Sequence, residues 1–368
     1  MTTNEIFKLG FGLMRLPKLA GGAIDVEQTA RMTDEFMAAG GTYFDTAYVY
    51  EGSEEAIGKA LVARKPRASY TLASKLFAKL APDAAGAREQ FRTSLDRTGA
   101  GYFDYYLMHN LGLPRTEYFE RYGLWEWAQD MKRQGLMRNV GFSFHADAVQ
   151  LDQILCAHPE VDFVQLQINY ADWEDGENQS RLCYECARSH DKQVVVMEPV
   201  KGGLLADPPA GVAAVFKAAD PDASCASWAL RFAASLPGVL TVLSGMSNIE
   251  QMRDNLATFK DFRPLDEAGM QVVARAREEL ARVNQVPCTT CRYCTKGCPQ
   301  QINIPGVFAA YNVKLVYGND EKAKSEYAWQ AKDAHADACL GCGACESVCP
   351  QRLHIVDLLA QASEFFDR

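Results

Sequence analysis

The chain has 368 residues, 48% of them hydrophobic and 23% charged, a globular balance that excludes disordered, collagen-like and coiled-coil chains. Its net charge of −9, from 38 basic and 47 acidic residues without basic blocks, argues against nucleic acid or an anionic membrane as partner. No run approaches the roughly 20 uninterrupted apolar residues that span a bilayer, and Met1–Gly10 lacks the basic and apolar segments of a signal peptide, so a cytoplasmic location is expected.

In chain order, short runs rich in Val, Ile, Leu, Phe and Tyr predict strands at residues 12–16, 42–45, 70–74, 105–109, 139–142, 163–168, 193–198 and 240–243. Helical patterns fall between them, at 53–61, 84–96, 117–134 and 179–190. Strands that read as continuous apolar runs are buried on both faces, as parallel strands covered by helices are. Eight of them alternating with helices predict an α/β chain whose residues 1–283 form a (β/α)8 TIM barrel. A doubly wound open sheet is the alternative, but no G-x-G-x-x-G follows the first strand.

In a barrel the chemistry gathers where strands end. The predicted strand ends carry Asp45, Lys75 and His109, and Tyr50 follows Asp45 in the loop leading to the next helix. Singly, these read as a helix cap, a surface charge and a core histidine. Together they are polar groups on adjacent strands that can converge on one point.

These residues also carry a resemblance. Phe44-Asp45-Thr46-Ala47-Tyr48-Val49-Tyr50 and Ser53-Glu54-Glu55-Ala56-Ile57-Gly58, followed by Ala73-Ser74-Lys75, Tyr105-Tyr106-Leu107-Met108-His109 and Gly141-Phe142-Ser143, resemble the ordered motifs of the aldo-keto reductases. The resemblance spans the barrel region and implies Asp45, Tyr50, Lys75 and His109 as a catalytic tetrad acting on a small carbonyl or alcohol. It further implies that Ser143, Gln167 and Asn169 hold a nicotinamide carboxamide, and that Met197 stands where an aromatic residue often stacks on the nicotinamide ring. Ser244, Gly245, Met246, Ser247, Gln251 and Asn255 fall in the corresponding phosphate-binding turn and helix. Gly245 and Gln251 replace the usual cations there, and Arg253, the nearest guanidinium, is out of register. NADP(H), NAD(H) and a flavin therefore all stay open as cofactors.

The residue types suit carbonyl reduction. Hydride addition leaves an alkoxide that needs a proton, and a phenol is a poor donor at neutral pH unless a cation stabilises its anion. Lys75 would supply that cation and lower the pKa of Tyr50, Asp45 would hold the lysine, and His109 would donate a hydrogen bond to the carbonyl oxygen. Cys183-x-x-Cys186 lies in a helical pattern with no second pair nearby and reads as buried structural thiols. Tyr118, Phe119, Tyr122, Trp125 and Trp127 read as core packing, and Trp173 as a candidate pocket residue.

The remaining residues, 284–368, hold eight of the twelve cysteines, whereas the first 155 residues hold none. They form Cys288-x2-Cys291-x2-Cys294-x3-Cys298-Pro299 and, repeated, Cys339-x2-Cys342-x2-Cys345-x3-Cys349-Pro350. This is the bacterial ferredoxin run, in which the fourth cysteine ligates the other cluster. The expected ligand sets are thus Cys288, Cys291, Cys294 and Cys349 for one [4Fe–4S] cluster, and Cys339, Cys342, Cys345 and Cys298 for a second. Zinc knuckles need no third cysteine at this spacing. Helical patterns at 304–317 and 320–337 make the segment a small, mainly helical ferredoxin-like domain.

A nicotinamide transfers two electrons at once and each cluster one. Three readings follow. In the favoured one, the barrel interconverts a carbonyl and an alcohol with NAD(P)H while the clusters relay electrons or stabilise the chain. In the second, a flavin in the barrel mouth connects a redox partner such as ferredoxin to the substrate. In the third, an idle barrel belongs to an electron-transfer subunit of a larger complex, against which the intact tetrad argues.

Overall fold

The structure, a computed structural model, describes residues 7–176 and 178–368. The reading of the N-terminal segment falls in part on residues 1–6, outside the described residues. The chain divides into two compact units, the first comprising residues up to Gly202 with Ala223–Val273 and the second Gly203–Asp222 with Ala274–Arg368.

The first unit is built on eight parallel strands: β1 Leu9–Gly12, β2 Tyr43–Asp45, β3 Thr71–Leu76, β4 Phe103–Leu111, β5 Met137–Phe144, β6 Phe163–Gln167, β7 Gln193–Met197 and β8 Val239–Ser244. Each pairs with the next, and β8 returns to β1 through Leu9 opposite Val242 and Gly10 opposite Leu243. The sheet is a closed barrel and the open-sheet alternative falls. Side-chain alternation explains the closure. Tyr43, Ala73, Leu107, Phe163, Val195 and Leu243 pack inside the barrel, where Tyr105 bridges Tyr43 and Phe163 at ring separations of 5.1 and 5.0 Å. The opposite faces take helix side chains, as where Phe36 meets Phe44 edge-on at 5.2 Å.

The helices are α1 Val26–Ala38, α2 Ser53–Ile57, α3 Ala84–Thr98, α4 Thr116–Arg121, α5 Leu124–Arg133, α6 Ala148–Ala157, α7 Ser180–Ser189, α8 Ala210–Ala219, α9 Cys225–Ala234, α10 Ile249–Phe259 and α11 Glu267–Ala281. Asp25, Asp83, Asp147, Ser224 and Asn248 cap five of them by accepting the backbone N–H of the third helical residue, which satisfies donors the helix itself cannot. Two expectations shift. The helix predicted over 117–134 is broken by Gly123 in the left-handed region (φ 60). The first strand occupies Leu9–Gly12 rather than 12–16, because only that run pairs with both β2 and β8, and Leu13–Arg15 forms a 3-10 turn.

At the N-terminal end of the barrel, buried Asp104 accepts from Arg67 (2.7 Å), Arg138 (2.9 Å) and the Leu72 amide (2.9 Å). That end of such barrels serves stability. Among the described residues no helix is long and apolar enough to cross a membrane.

The second unit contains α8 and the latter half of α11, followed by α12 Tyr293–Lys296, α13 Ile304–Tyr317, α14 Asp320–Gln330, α15 Ala344–Ser347 and α16 Ile355–Phe366. It is helical, as expected, although α14 stops at Gln330. Its core joins Ile302, Val307, Phe308, Ile355 and Leu359 with Cys294 and Cys345, and Tyr327 stacks on Phe366 at 4.1 Å. The interval from Cys288 to Cys339 also separates α12 from α15 and the start of α13 from that of α16, so the cysteine repeat is a repeat of backbone.

One glycine in the barrel wall has no substitute. A Cβ on Gly141 of β5 would lie 2.3 Å from the Phe163 carbonyl oxygen and 2.7 Å from its ring. Because strand backbone cannot yield as a side-chain tip can, Gly141→Ala should destabilise the barrel by about 2 kcal/mol or more, read as a lower thermal midpoint of the purified protein; an unchanged midpoint would contradict this packing.

Candidate active site and metal centre

The C-terminal ends of β2, β3 and β4 bring Asp45, Lys75 and His109 together with Tyr50. Alternation along β3 turns Lys75 inward with Ala73, while Ser74 faces α2 and donates to Glu54 at 2.6 Å. Lys75 is 1% exposed. Its ammonium donates to the Asp45 carboxylate and, at 2.7 Å, to the Thr46 carbonyl, with the Tyr50 hydroxyl 3.5 Å away. The loop carrying Tyr50 is fastened to β3 by Thr46 N–H to Ala73 O (2.9 Å) and Tyr48 N–H to Lys75 O (3.1 Å). Ser53 anchors its far side, joined to the Thr46 hydroxyl at 2.8 Å and donating to the Leu13 carbonyl at 3.0 Å. The His109 ring stands edge-on to Tyr50, 5.9 Å between centroids, with Phe77 on its other side at 5.7 Å.

The electrostatics follow from depth and charge. Burial disfavours the Lys75 ammonium, but Asp45 and then Tyr50 outweigh it and leave its pKa raised. The side chain is therefore a fixed cation. Tyr50 departs from the sequence expectation. Burial pushes its phenol up, and the pull of Lys75 is not enough to reverse this against the added repulsion of Asp45 and Glu198. The phenol thus stays protonated at rest. Burial, Lys75 and His145 hold His109 well below the usual histidine range, so its imidazole is neutral, and its buried Nδ1 has no partner among the described residues.

The positions expected at a nucleotide divide into groups. Ser143, 1% exposed, accepts from the Asn110 amide at 2.8 Å. Gln167 donates to Asp172 at 2.9 Å through its side-chain amide nitrogen. Asn169 is spent inside the protein: it donates to Asp172 (2.8 Å) and to the Glu198 carbonyl (3.2 Å) and accepts from the Asp172 amide (2.9 Å). Lys201 closes this network on Asp172. Met197 ends β7, half-buried. Asn255 donates to Ser244 at 2.9 Å, both buried, and so fastens α10 to β8, with Met246 buried beside them. Gly245 is exposed. Gln251 accepts from the Ser247 amide at 2.8 Å and donates its own amide to Asn248 at 2.8 Å. The turn Ser244–Asn248 thereby leads into the N-terminus of α10, an end that suits an anion.

Two nearby residues escaped the sequence reading. Arg253 points away, paired with Glu35 at 2.8 Å, but Arg15 stands against the turn. Ser247 donates to the Arg15 carbonyl at 2.8 Å, and a Cβ on Gly245 would lie 3.7 Å from that of Arg15. The guanidinium is 3.9 Å from Glu198, a non-glycine residue held at φ 56. Placing the first strand at 12–16 put Arg15 inside a strand and hid it. The second is His145, directly after β5, close enough to depress His109. Trp173 packs between Tyr184 and Phe232 at 5.8 and 5.3 Å, while Phe119 and Trp125 are core.

In the second unit, Cys288, Cys291, Cys294 and Cys349 line one cavity with Ile304 and Phe308. Cys298, Cys339, Cys342 and Cys345 line another with Ile304 and Leu359. All eight are free thiols. Equivalent loop positions adopt left-handed backbone in both halves: Thr290 and Arg292 (φ 55 and 62) answer Gly341 and Gly343 (φ 66 and 71), and Gln301 answers Arg352 (φ 54 and 53). Such turns aim backbone N–H groups into a concavity. Burial pushes the Cys345 thiol up to about 11, so thiolates here require a cationic partner. Four soft donors around each apolar-walled cavity suit an iron–sulfur cluster.

The model of the aldo/keto reductase family matches residues 8–278. The chain belongs to that family. A 4Fe-4S dicluster domain matches residues 287–354, so this aldo-keto reductase-type oxidoreductase carries an iron–sulfur domain after its barrel in the sequence. Aldo-keto reductase str7 of Strobilurus tenacellus is 28% identical over 54% of this chain and 60% of its own length, so the chain spans less than two thirds of that relative. An aldo-keto reductase of Mycolicibacterium vanbaalenii is 30% identical over 61% of this chain and 75% of its own. Among solved structures, the holo form of an aldo-keto reductase from Bacillus halodurans aligns over 73% of this chain and 91% of its own with TM-score 0.58 and 25% identity. One from Klebsiella pneumoniae in complex with NADPH, 21% identical, aligns over 73% and 90% with TM-score 0.60 and shares the fold.

The crossed arrangement of cavity walls has a direct test. Cys298→Ser and Cys339→Ser should perturb the same EPR signal of the reduced protein, while Cys349→Ser perturbs the signal shared with Cys288→Ser. The opposite grouping would assign each fourth cysteine to its own run.

Proposed function

We propose that this reductase interconverts a carbonyl and an alcohol on a small substrate, with a nicotinamide dinucleotide as its hydride donor or acceptor and two [4Fe–4S] clusters in its tail. The single observation that carries this reading is the buried Lys75 ammonium set between the Asp45 carboxylate and the Tyr50 hydroxyl, with the neutral His109 ring alongside. The dinucleotide, when bound, supplies the hydride to the carbonyl carbon. Tyr50 gives its proton to the oxygen as negative charge develops there. The neighbouring Lys75 stabilises the phenolate left behind, and Asp45 keeps the ammonium in place. His109 donates a hydrogen bond to the same oxygen. In the oxidative direction the same groups run in reverse, with Tyr50 taking the proton from the alcohol.

Ser143 and the Gln167 carbonyl are the available polar groups for the carboxamide. Arg15, absent from the family-based expectation, is the cation beside the phosphate turn. The clusters would supply one-electron transfer to a redox partner such as ferredoxin. Met197 in place of an aromatic ring favours a second reading, in which a flavin occupies the mouth.

Anaerobic titration with NADPH and NADH, following nicotinamide fluorescence and cluster absorbance together, tests the reading. Saturable binding supports it, and no binding of either nucleotide transfers the case to the flavin. Tyr50→Phe should lower kcat by roughly 10²–10⁴-fold, the worth of a positioned general acid, with nucleotide binding and cluster absorbance unchanged. Retained turnover would remove Tyr50 from its role. Loss of a charged hydrogen bond costs about 1.5–3 kcal/mol, so Arg15→Ala should weaken NADPH binding by about tenfold or more. An equal loss for NADH would place Arg15 on the pyrophosphate, a loss confined to NADPH would place it on the 2′-phosphate, and an unchanged affinity would exclude it.

A further inference from the structure

The outer wall of the barrel gathers metal-ligating side chains that the reductase chemistry does not use. Helices α6 and α7, which precede and follow β6, pack side by side. Asp152 and Cys156 are one turn apart on α6. Cys186 and His190 have the same spacing at the end of α7, so each pair shares a helix face. His190 Nε2 lies 2.7 Å from an Asp152 carboxylate oxygen, and the ligand atoms of Asp152, Cys156 and His190 all lie within 4.8 Å of one another. The Cys183-x-x-Cys186 motif is split between environments. Cys183 is buried, with its sulfur 3.6 Å from the Ala146 carbonyl, which bears out the expectation of a structural thiol. Cys186 is only half-buried and stands one turn before His190 on the same face of its helix.

We propose that Asp152, Cys156 and His190 form a zinc-class divalent metal site on the outer wall, with Cys186 completing it. The donor set selects the metal. A thiolate and an imidazole beside one carboxylate suit zinc, whereas magnesium and calcium take oxygen ligands. Zinc bonds of about 2.0–2.3 Å set ligand atoms roughly 3.3–3.8 Å apart around a tetrahedron, so the observed cluster reaches that geometry by small side-chain rotations. A histidine–aspartate pair alone would account for His190 and Asp152 but not for the Cys156 thiol brought beside them. With four protein ligands the site is closed, the form of a structural zinc, and it ties α6 to α7 across the strand that carries Gln167.

The test uses the intact holoprotein, purified anaerobically, equilibrated with Zn²⁺ against a competing chelator, with zinc and iron counted in the same sample. The expected result is one tightly held zinc per chain, with sulfur at about 2.3 Å in zinc-edge X-ray absorption. Cys156→Ser and Asp152→Asn, both at exposed positions and both leaving the eight tail cysteines in place, should weaken zinc binding by more than the roughly tenfold that loss of an outer hydrogen-bond partner costs, with iron unchanged. Zinc retained equally in both variants would put it elsewhere and overturn the site. So would absence of bound zinc from a sample with full iron.

Discussion

The constraint on which the barrel and its chemistry both depend is a lysine buried among apolar strands. An ammonium taken out of water without a partner costs several kcal/mol, and Lys75 meets that cost through Asp45 and the Thr46 carbonyl. Those partners sit on the neighbouring strand and its loop. The arrangement therefore exists only when β2 and β3 pair in the observed register, with Asp45 opposite Ala73. Removing one member of such a pair costs about 3–5 kcal/mol. The Lys75–Asp45 contact thus also reports that β2 and β3 have paired correctly.

The same economy runs through the residues around it. Ser53 and Glu54, part of the stretch by which the family is recognised, touch no reacting group. Ser53 holds the Tyr50 loop, and Glu54 accepts from Ser74 and pairs with Arg97 at 3.3 Å. Identity along this stretch reflects the packing of a loop as much as its chemistry. At the opposite end of the barrel Asp104 neutralises two arginines and leaves no site.

Sequence reasoning succeeded where the signal is local. Apolar runs located seven strands within a few residues, and the cysteine spacing named both fourfold sets that line the two cavities. It faltered where distant groups decide. The first strand shifted because its partners β2 and β8 lie far along the chain, and that shift concealed Arg15. The pKa of Tyr50 was expected to fall from the presence of a lysine, but the depth of the mouth, with Asp45 and the Glu198 that follows β7 nearby, is a tertiary fact that reverses its sign. Asn169 was placed at the nucleotide by its strand-end position, yet the network through Asp172 and Lys201 consumes its amide. Nothing in the separate patterns of α6 and α7 announces that Asp152 and Cys156 of one meet His190 at the end of the other.

The two halves of the cysteine unit share a backbone path but not its cost. Where the second half places Gly341 and Gly343 in left-handed conformation, the first places Thr290 and Arg292. An L-residue pays roughly 1–2 kcal/mol there, and a glycine does not. The loop at Cys288 is therefore sprung and the loop at Cys339 is relaxed. Four backbone angles thus distinguish two halves that the cysteine spacing makes look identical.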